Sequence, residues 1–245
     1  INWKANVYVN GKQAGRIEGA FMRGKFDVTD LIVPGKNVVA VEIIKNQHIG
    51  AIKEKNAQST DFNGGILGAD NPTFHATIGW DWIPTMRGRN IGIWNDVFLT
   101  TTGKVTVADP LVKSVLPLPD TTSAKLTAEV IVKNHDANAV KGMLEGKIGD
   151  ITFQQPVELA AGEEKAVVFD AKDFAQLNVQ NPRLWWPKGY GEPNLYDASF
   201  TFKIDDKVSD AKDFKVGIRQ MTFNEDNQIL SLFINGRRFV GRGGN

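Results

Sequence analysis

The stretch KANVYVNGKQAGRI, residues 4–17, sets the fold class. Ala5, Val7 and Val9 alternate with Asn6 and Tyr8, the period of two by which a strand turns one face to a core. Asn10-Gly11 then supplies the two residues that tolerate positive φ in a tight hairpin, and Lys12 to Ile17 returns as the second strand. The same grammar continues outward. Val38 to Ile44 is a nearly continuous, β-branched apolar run, which predicts a buried strand, and Ile91 to Thr100 predicts another, closed by Thr101-Thr102-Gly103. After Asp109-Pro110 the texture changes: Leu126, Ala128, Val130 and Val132 alternate with polar residues. Gly142 to Ile148, Thr152 to Leu159, Lys165 to Phe169, Leu195 to Ile204 and Phe214 to Ile218 follow, separated by turn residues. That rhythm predicts a β-sandwich of immunoglobulin type. Near Arg219 a third unit begins, in which Gln228 to Phe233 and Arg237 to Val240 flank a second Asn-Gly turn at Asn235-Gly236. Only Ala171 to Leu177 hints at an amphipathic helix, so the chain is predicted to be all-β.

Composition narrows the function classes. A net charge of +1 gives no electrostatic footprint for nucleic acid or an anionic membrane, and no apolar run approaches the length of a membrane span. The absence of cysteine excludes disulfides, thiolate catalysis and cysteine-ligated zinc. It does not fix the compartment; for a bacterial chain a periplasmic or secreted location is favoured, because exported bacterial proteins often lack cysteine. His48, His75 and His135 are scattered without ligand spacing, so neither a metal nor another cofactor is expected. The chain starts at Ile1 and stops after Gly241-Arg242-Gly243-Gly244-Asn245 as though cut from something longer.

Residues 45–79 lose the strand rhythm, and a long irregular segment inside a compact domain is commonly functional. It carries Asp61, Asn63, Asp70 and Asn71, which suit a cation, sugar hydroxyls or simply turns. It leads into Gly79-Trp80-Asp81-Trp82, where a carboxylate stands between two indoles. An aromatic face covers the apolar C–H side of a sugar ring and a carboxylate accepts its hydroxyl protons, so Trp80, Asp81 and Trp82 are the candidate substrate-binding residues. A packed turn with tryptophan plugs fits the same letters. Trp185-Trp186-Pro187 with Gly189-Tyr190-Gly191 is a second aromatic cluster, readable as a sugar platform or, more economically, as a wedge between packed units.

Several motifs in order resemble glycoside hydrolase family 2. Trp3 to Val9 with Asn10-Gly11-Lys12, then Gly24-Lys25-Phe26-Asp27-Val28-Thr29, is similar to that family's N-terminal sugar-binding jelly roll, and Gly92-Ile93-Trp94-Asn95-Asp96-Val97 to the strand closing it. Asn181-Pro182-Arg183-Leu184-Trp185-Trp186-Pro187 through Leu195-Tyr196 resembles the end of the family's immunoglobulin-like domain, and Phe214 to Arg219 its exit. Leu232 to Asn245 resembles the approach to the first strand of a (β/α)₈ barrel. The Trp80-Asp81-Trp82 segment with Arg89-Asn90 looks most like the branch of β-mannosidases, exo-β-glucosaminidases and mannosylglycoprotein endo-β-mannosidases.

The resemblance implies three parts: residues 1–106 as a jelly roll without its opening strands, 107–218 as the immunoglobulin-like sandwich, and 219–245 as linker and barrel start. It implies that the partner is a carbohydrate ending in β-linked mannose or glucosamine, together with the parent's own catalytic barrel. Asp81 would bond the terminal sugar, with Trp82 walling its pocket. It also implies that no catalytic residue lies in the chain, since the family's two catalytic glutamates belong to later barrel strands. A stand-alone carbohydrate-binding or adhesion module of two sandwiches is the alternative.

Overall fold

The computed structural model describes residues 4–19, 22–44, 92–93 and 95–241, which fall in two compact units, Ile1–Leu99 and Thr100–Gly244. The regular structure is almost entirely antiparallel β, as the alternation predicts.

In the first unit β1 (Lys4–Val9) and β2 (Lys12–Glu18) form the expected hairpin, and β3 (Val39–Ile43) pairs with the other edge of β1. Asn10 and Gly11 take φ of 51° and 79°, the pair of left-handed residues that a two-residue turn demands. Asn10 is more than a turn residue. Its Nδ2 donates to Leu31 O and Asn37 Oδ1 at 2.9 and 2.8 Å, and its Oδ1 accepts from Val38 N at 2.9 Å, tying the hairpin tip to the loop that precedes β3. Ala5, Val7, Val9 and Ile17 are buried, the face the alternation selects.

Two expectations need correction here. Val38 to Ile44 does form a strand, but it is not a buried one: Val39 is 57 % exposed, and Val41 and Ile43 are half-buried. An apolar run specifies burial only where a second layer faces it, and the described residues of this unit supply one sheet. Ile91 to Thr100 shows no strand over its described residues 92–93 and 95–100, and Val97, Phe98 and Leu99 are 68, 78 and 69 % exposed. Apolar composition cannot make a strand without a neighbour to receive its backbone hydrogen bonds, and none pairs with this segment among the described residues.

The second unit is the predicted two-sheet sandwich. One sheet runs β4 (Val105–Val115), β5 (Ser123–Asn134) and β8 (Glu164–Asp170), with β9 (Asn178–Gln180) also pairing β5. The other runs in the order β11-β10-β6-β7, from β6 (Val140–Ile148), β7 (Ile151–Leu159), β10 (Tyr196–Ile204) and β11 (Lys207–Val216). Leu126, Ala128, Val130 and Val132 from one sheet meet Leu144, Ile148, Phe200 and Phe202 from the other in a continuous core. Phe153, on edge strand β7, joins this core with ring centroids 4.7 Å from Phe169 and 6.1 Å from Phe200. Burying such a side chain contributes about 1.5–3 kcal/mol, which is what holds two amphipathic sheets together.

Asp109-Pro110 interrupts nothing. β4 passes through it with a bulge between Ala108 and Leu111, where Asp109 has φ of 49° and proline's missing N–H is harmless on an edge strand. That edge is then sewn to β11: Ser209 Oγ accepts from Val105 N and donates to Val105 O, both at 2.8 Å, and Asp210 Oδ2 accepts from Val107 N at 2.8 Å. The suspected helix at Ala171 to Leu177 is a single 3₁₀ turn, Ala175–Leu177.

Beyond the sandwich, β12 (Met221–Asp226), β13 (Ile229–Ile234) and β14 (Arg237–Phe239) form an antiparallel meander. The sequence signals β13, the Asn235-Gly236 turn and β14 but not β12. The barrel strand expected in this region is not among the described residues, which pair antiparallel through Phe239.

Candidate functional site

Trp80, Asp81 and Trp82, with Arg89, Asn90 and the polar residues Asp61, Asn63, Asp70 and Asn71, lie outside the described residues, as do His48 and His75. His135 is described, and its Nε2 is 2.9 Å from Thr106 Oγ1. No group of three or more metal-ligating side chains occurs among the described residues, and no described helix is long and apolar enough to cross a membrane.

The second aromatic cluster is fully described and forms a joint. Leu184 and Trp185 pair with Ile218 and Pro193 as isolated bridges, bringing the 184–193 loop beside the chain leaving β11. The Arg219 guanidinium lies over the Trp185 ring at 4.4 Å from its centroid, and Arg237 over Trp186 at 5.4 Å. Each cation is held by the negative face of the indole, worth about 0.5–1 kcal/mol where exposed. Gly217 approaches the root of Trp185 so closely that an added Cβ would stand 2.8 Å from Trp185 Cβ. Tyr190 completes the contact: its ring centroid is 5.5 Å from that of Phe239, and its hydroxyl accepts from Val240 N at 2.9 Å. Both indoles therefore carry protein cations, which is the arrangement of a wedge rather than of an open sugar platform.

Asn235 is the polar centre of this joint and only 3 % exposed. Its Oδ1 accepts from Gln220 N at 2.8 Å, its Nδ2 donates to Trp185 O at 3.1 Å, and its own N–H donates to Gln220 O at 2.8 Å. Gln220 Oε1 accepts from Leu116 N at 2.6 Å, while Ser114 Oγ accepts from Arg219 N and donates to Arg219 O. Meander, exit chain, aromatic loop and β4 are thus one hydrogen-bonded unit. Sequence reading finds Asn235 as a turn former and misses its tertiary role; a clue is that this turn follows Leu232 to Ile234, whose burial needs an adjoining layer.

Ionisable groups in the described residues are perturbed by surface partners. Asp136 is held down to about 2 by the Lys104 ammonium and by the Asn138 amides. In the first unit Glu42 is lowered because Asn6 Nδ2 and the Tyr8 hydroxyl donate to it, and Tyr8 is raised by the same carboxylate. Neither pair lies in a closed cleft, and neither makes a catalytic dyad.

Comparison with known proteins agrees with the architecture. The sequence model described as "Glycosyl hydrolase 2 galactose-binding domain-like" matches residues 1–95, and that of "Glycosyl hydrolases family 2" matches residues 105–219. An exo-β-D-glucosaminidase of Streptomyces avermitilis is 32% identical over 246 residues, covering 98% of this chain and 24% of that protein. A mannosylglycoprotein endo-β-mannosidase of Lilium longiflorum is 33% identical over 258 residues, covering 100% of this chain and 26% of that protein. Among solved structures, a variant of the Amycolatopsis orientalis exo-chitosanase in complex with PNP-β-D-glucosamine superposes with a TM-score of 0.75 at 26% identity, over 100% of this chain and 26% of that one. The chain spans about a quarter of the length of the relatives it matches. With two family models matched in sequence order and relatives more than 30% identical over 98–100% of its length, the chain belongs to glycoside hydrolase family 2.

Proposed function

We propose that these residues are the non-catalytic N-terminal part of a retaining, exo-acting β-glycosidase that hydrolyses a β-mannoside or β-glucosaminide. The observation that carries this reading is the end-to-end alignment with glucosaminidases and a mannosidase roughly four times longer than the chain. A retaining glycosidase needs two carboxyl groups about 5 Å apart, one as acid/base and one as nucleophile. In this reading both belong to the remaining three quarters of the protein. The first unit contributes an edge of the terminal-sugar subsite through Asp81, flanked by Trp80 and Trp82. The immunoglobulin-like sandwich and its meander serve as scaffold, with the tryptophan–arginine joint fixing one to the other.

Asp81→Ala in the full-length protein tests it. A hydrogen bond to a charged group is worth about 1.5–3 kcal/mol, so losing one from Asp81 lowers kcat/KM about 10- to 150-fold. The thermal midpoint should stay at the wild-type value. Turnover near wild type would reduce Asp81 to a structural residue. Calorimetry on the 245-residue chain separates the alternative: micromolar binding of mannose or glucosamine would mark a self-sufficient binding module instead of part of a pocket.

A further inference from the structure

The outward face of the β11-β10-β6-β7 sheet carries a cleft of about 480 Å³ that the glycosidase reading leaves unused. Its floor is two cross-strand rows set by the register: Ser199, Lys147 and Thr152 lie side by side on β10, β6 and β7, and Thr201, Glu145 and Gln154 lie side by side in the next row. Its wall is the segment after β8, where Phe174 packs against Phe153 at 6.4 Å between centroids. There Gln176 Nε2 donates to Thr152 O at 3.1 Å, capping the free edge of β7.

The chemistry of the floor differs from its surroundings. Around it the same sheet face carries the ion pairs Lys141–Glu158 and Lys215–Asp197, and Lys203 reaches in to pair with Glu145 of the floor. Inside it, Thr152, Gln154, Ser199 and Thr201 are neutral, and among the described residues their side chains, with that of Lys147, have no hydrogen-bond or ion-pair partner in the protein. Neighbouring strands stand about 4.8 Å apart and like-facing residues along a strand about 7 Å apart, a grid that matches the spread of hydroxyls over one or two pyranose rings. Hydroxyls and amides both donate and accept, as sugar hydroxyls do, and half-buried Phe174 offers an apolar margin. Glu145 is neutralised by Lys203 at 2.8 Å, so Lys147 supplies the one uncompensated charge.

We propose that this cleft is a second carbohydrate site, taking a neutral β-linked disaccharide unit by hydrogen bonding alone, and that Lys147 discriminates against protonated glucosamine. It is built from β6, β7, β10 and the segment after β8, all in the second unit, and does not depend on the subsite reading. Lacking a broad stacking platform, it should bind at about millimolar Kd, far weaker than a pocket that also buries a ring face.

The test is an amide-resolved NMR titration of the 245-residue chain with N,N′-diacetylchitobiose, and in parallel with the unacetylated dimer below pH 7. Saturable shifts should appear at 145–154 and 199–201, with the unacetylated dimer binding at least several-fold more weakly. Thr201→Val with Gln154→Ala, both surface changes, should weaken binding about 10-fold or more through loss of two hydrogen bonds. Lys147→Ala should narrow the gap between the two sugars. Asp81→Ala should leave this site unchanged, so failure of the subsite reading and failure of the cleft are distinguishable. Absence of saturable shifts in the cleft, or a double variant binding as wild type, would overturn the proposal.

Discussion

Asn235→Ala should loosen the meander from the sandwich while leaving the sandwich folded. The substitution strands two groups in a nearly closed site: Gln220 N–H loses its acceptor at 2.8 Å and Trp185 C=O loses its donor at 3.1 Å. Each unsatisfied buried group costs about 1–3 kcal/mol. Asn235 also sits at φ of 49°, a left-handed conformation that asparagine tolerates and alanine disfavours by about 1 kcal/mol. The total is about 3–7 kcal/mol, or roughly a 100- to 100,000-fold rise in the opening equilibrium of β12–β14. Hydrogen exchange reads this directly. Amides of β13 should exchange faster by that factor, while those of β5 and β10, whose burial does not involve Asn235, keep their rates. Asn235→Gly separates the contributions, because glycine removes the backbone strain and keeps the loss of both bonds. Its effect should be about 1 kcal/mol milder than that of alanine. If β13 exchange in Asn235→Ala rises less than about 10-fold, the network does not hold the joint, and the tryptophan–arginine contacts alone must do so.

Gly146→Ala tests the sandwich core. A Cβ at this position would collide with the Phe153 ring, which packs directly over it. Overpacking costs about 1–3 kcal/mol, and at this chain length each kcal/mol lowers Tm by about 2–4 °C, so calorimetry should show a fall of roughly 2–12 °C. An unchanged Tm would mean that the ring swings aside freely. At the surface, Lys104→Ala should raise the Asp136 pKa from about 2 toward the ordinary aspartate value of 3.8, read by NMR titration of the carboxyl carbon. Since folding lowers this pKa, its contribution to stability is present above about pH 4 and fades as pH falls through about 2, so the variant should lose the acid end of that dependence first. A pKa that stays near 2 in the variant would assign the shift to Asn138 instead.

What was legible in the sequence was local or periodic, and what was not depended on partners. Asn10-Gly11 and Asn235-Gly236 announced their turns because positive φ is a property of the residues themselves, and both hairpins form. The alternation from Leu126 to Val132 announced its face because half of a strand buried in a sandwich leaves a mark of period two. Val38 to Ile44 misled because burial is a relation between layers. Met221 to Asp226 was missed since its strand character is contributed by pairing with Ile229 to Ile234 and hardly by its own composition. The Trp185-Trp186 pair shows the limit most clearly. Tryptophan next to glycine and proline is equally good chemistry for a sugar platform and for a wedge, and nothing adjacent in the chain decides between them. Arg219 and Arg237 decide it, arriving from beyond β11 and from β14 to cover the two rings. The candidate subsite at Asp81 poses the same question in the first unit: a carboxylate between two indoles selects a sugar only if no arginine of the protein reaches it first. Arg87 and Arg89 are close enough in sequence to be that arginine, so Asp81→Ala is most informative when read beside Arg89→Ala. Loss of turnover in the first, with the second stable and active, is the pattern of a sugar ligand; parallel loss of stability in both is the pattern of an internal ion pair.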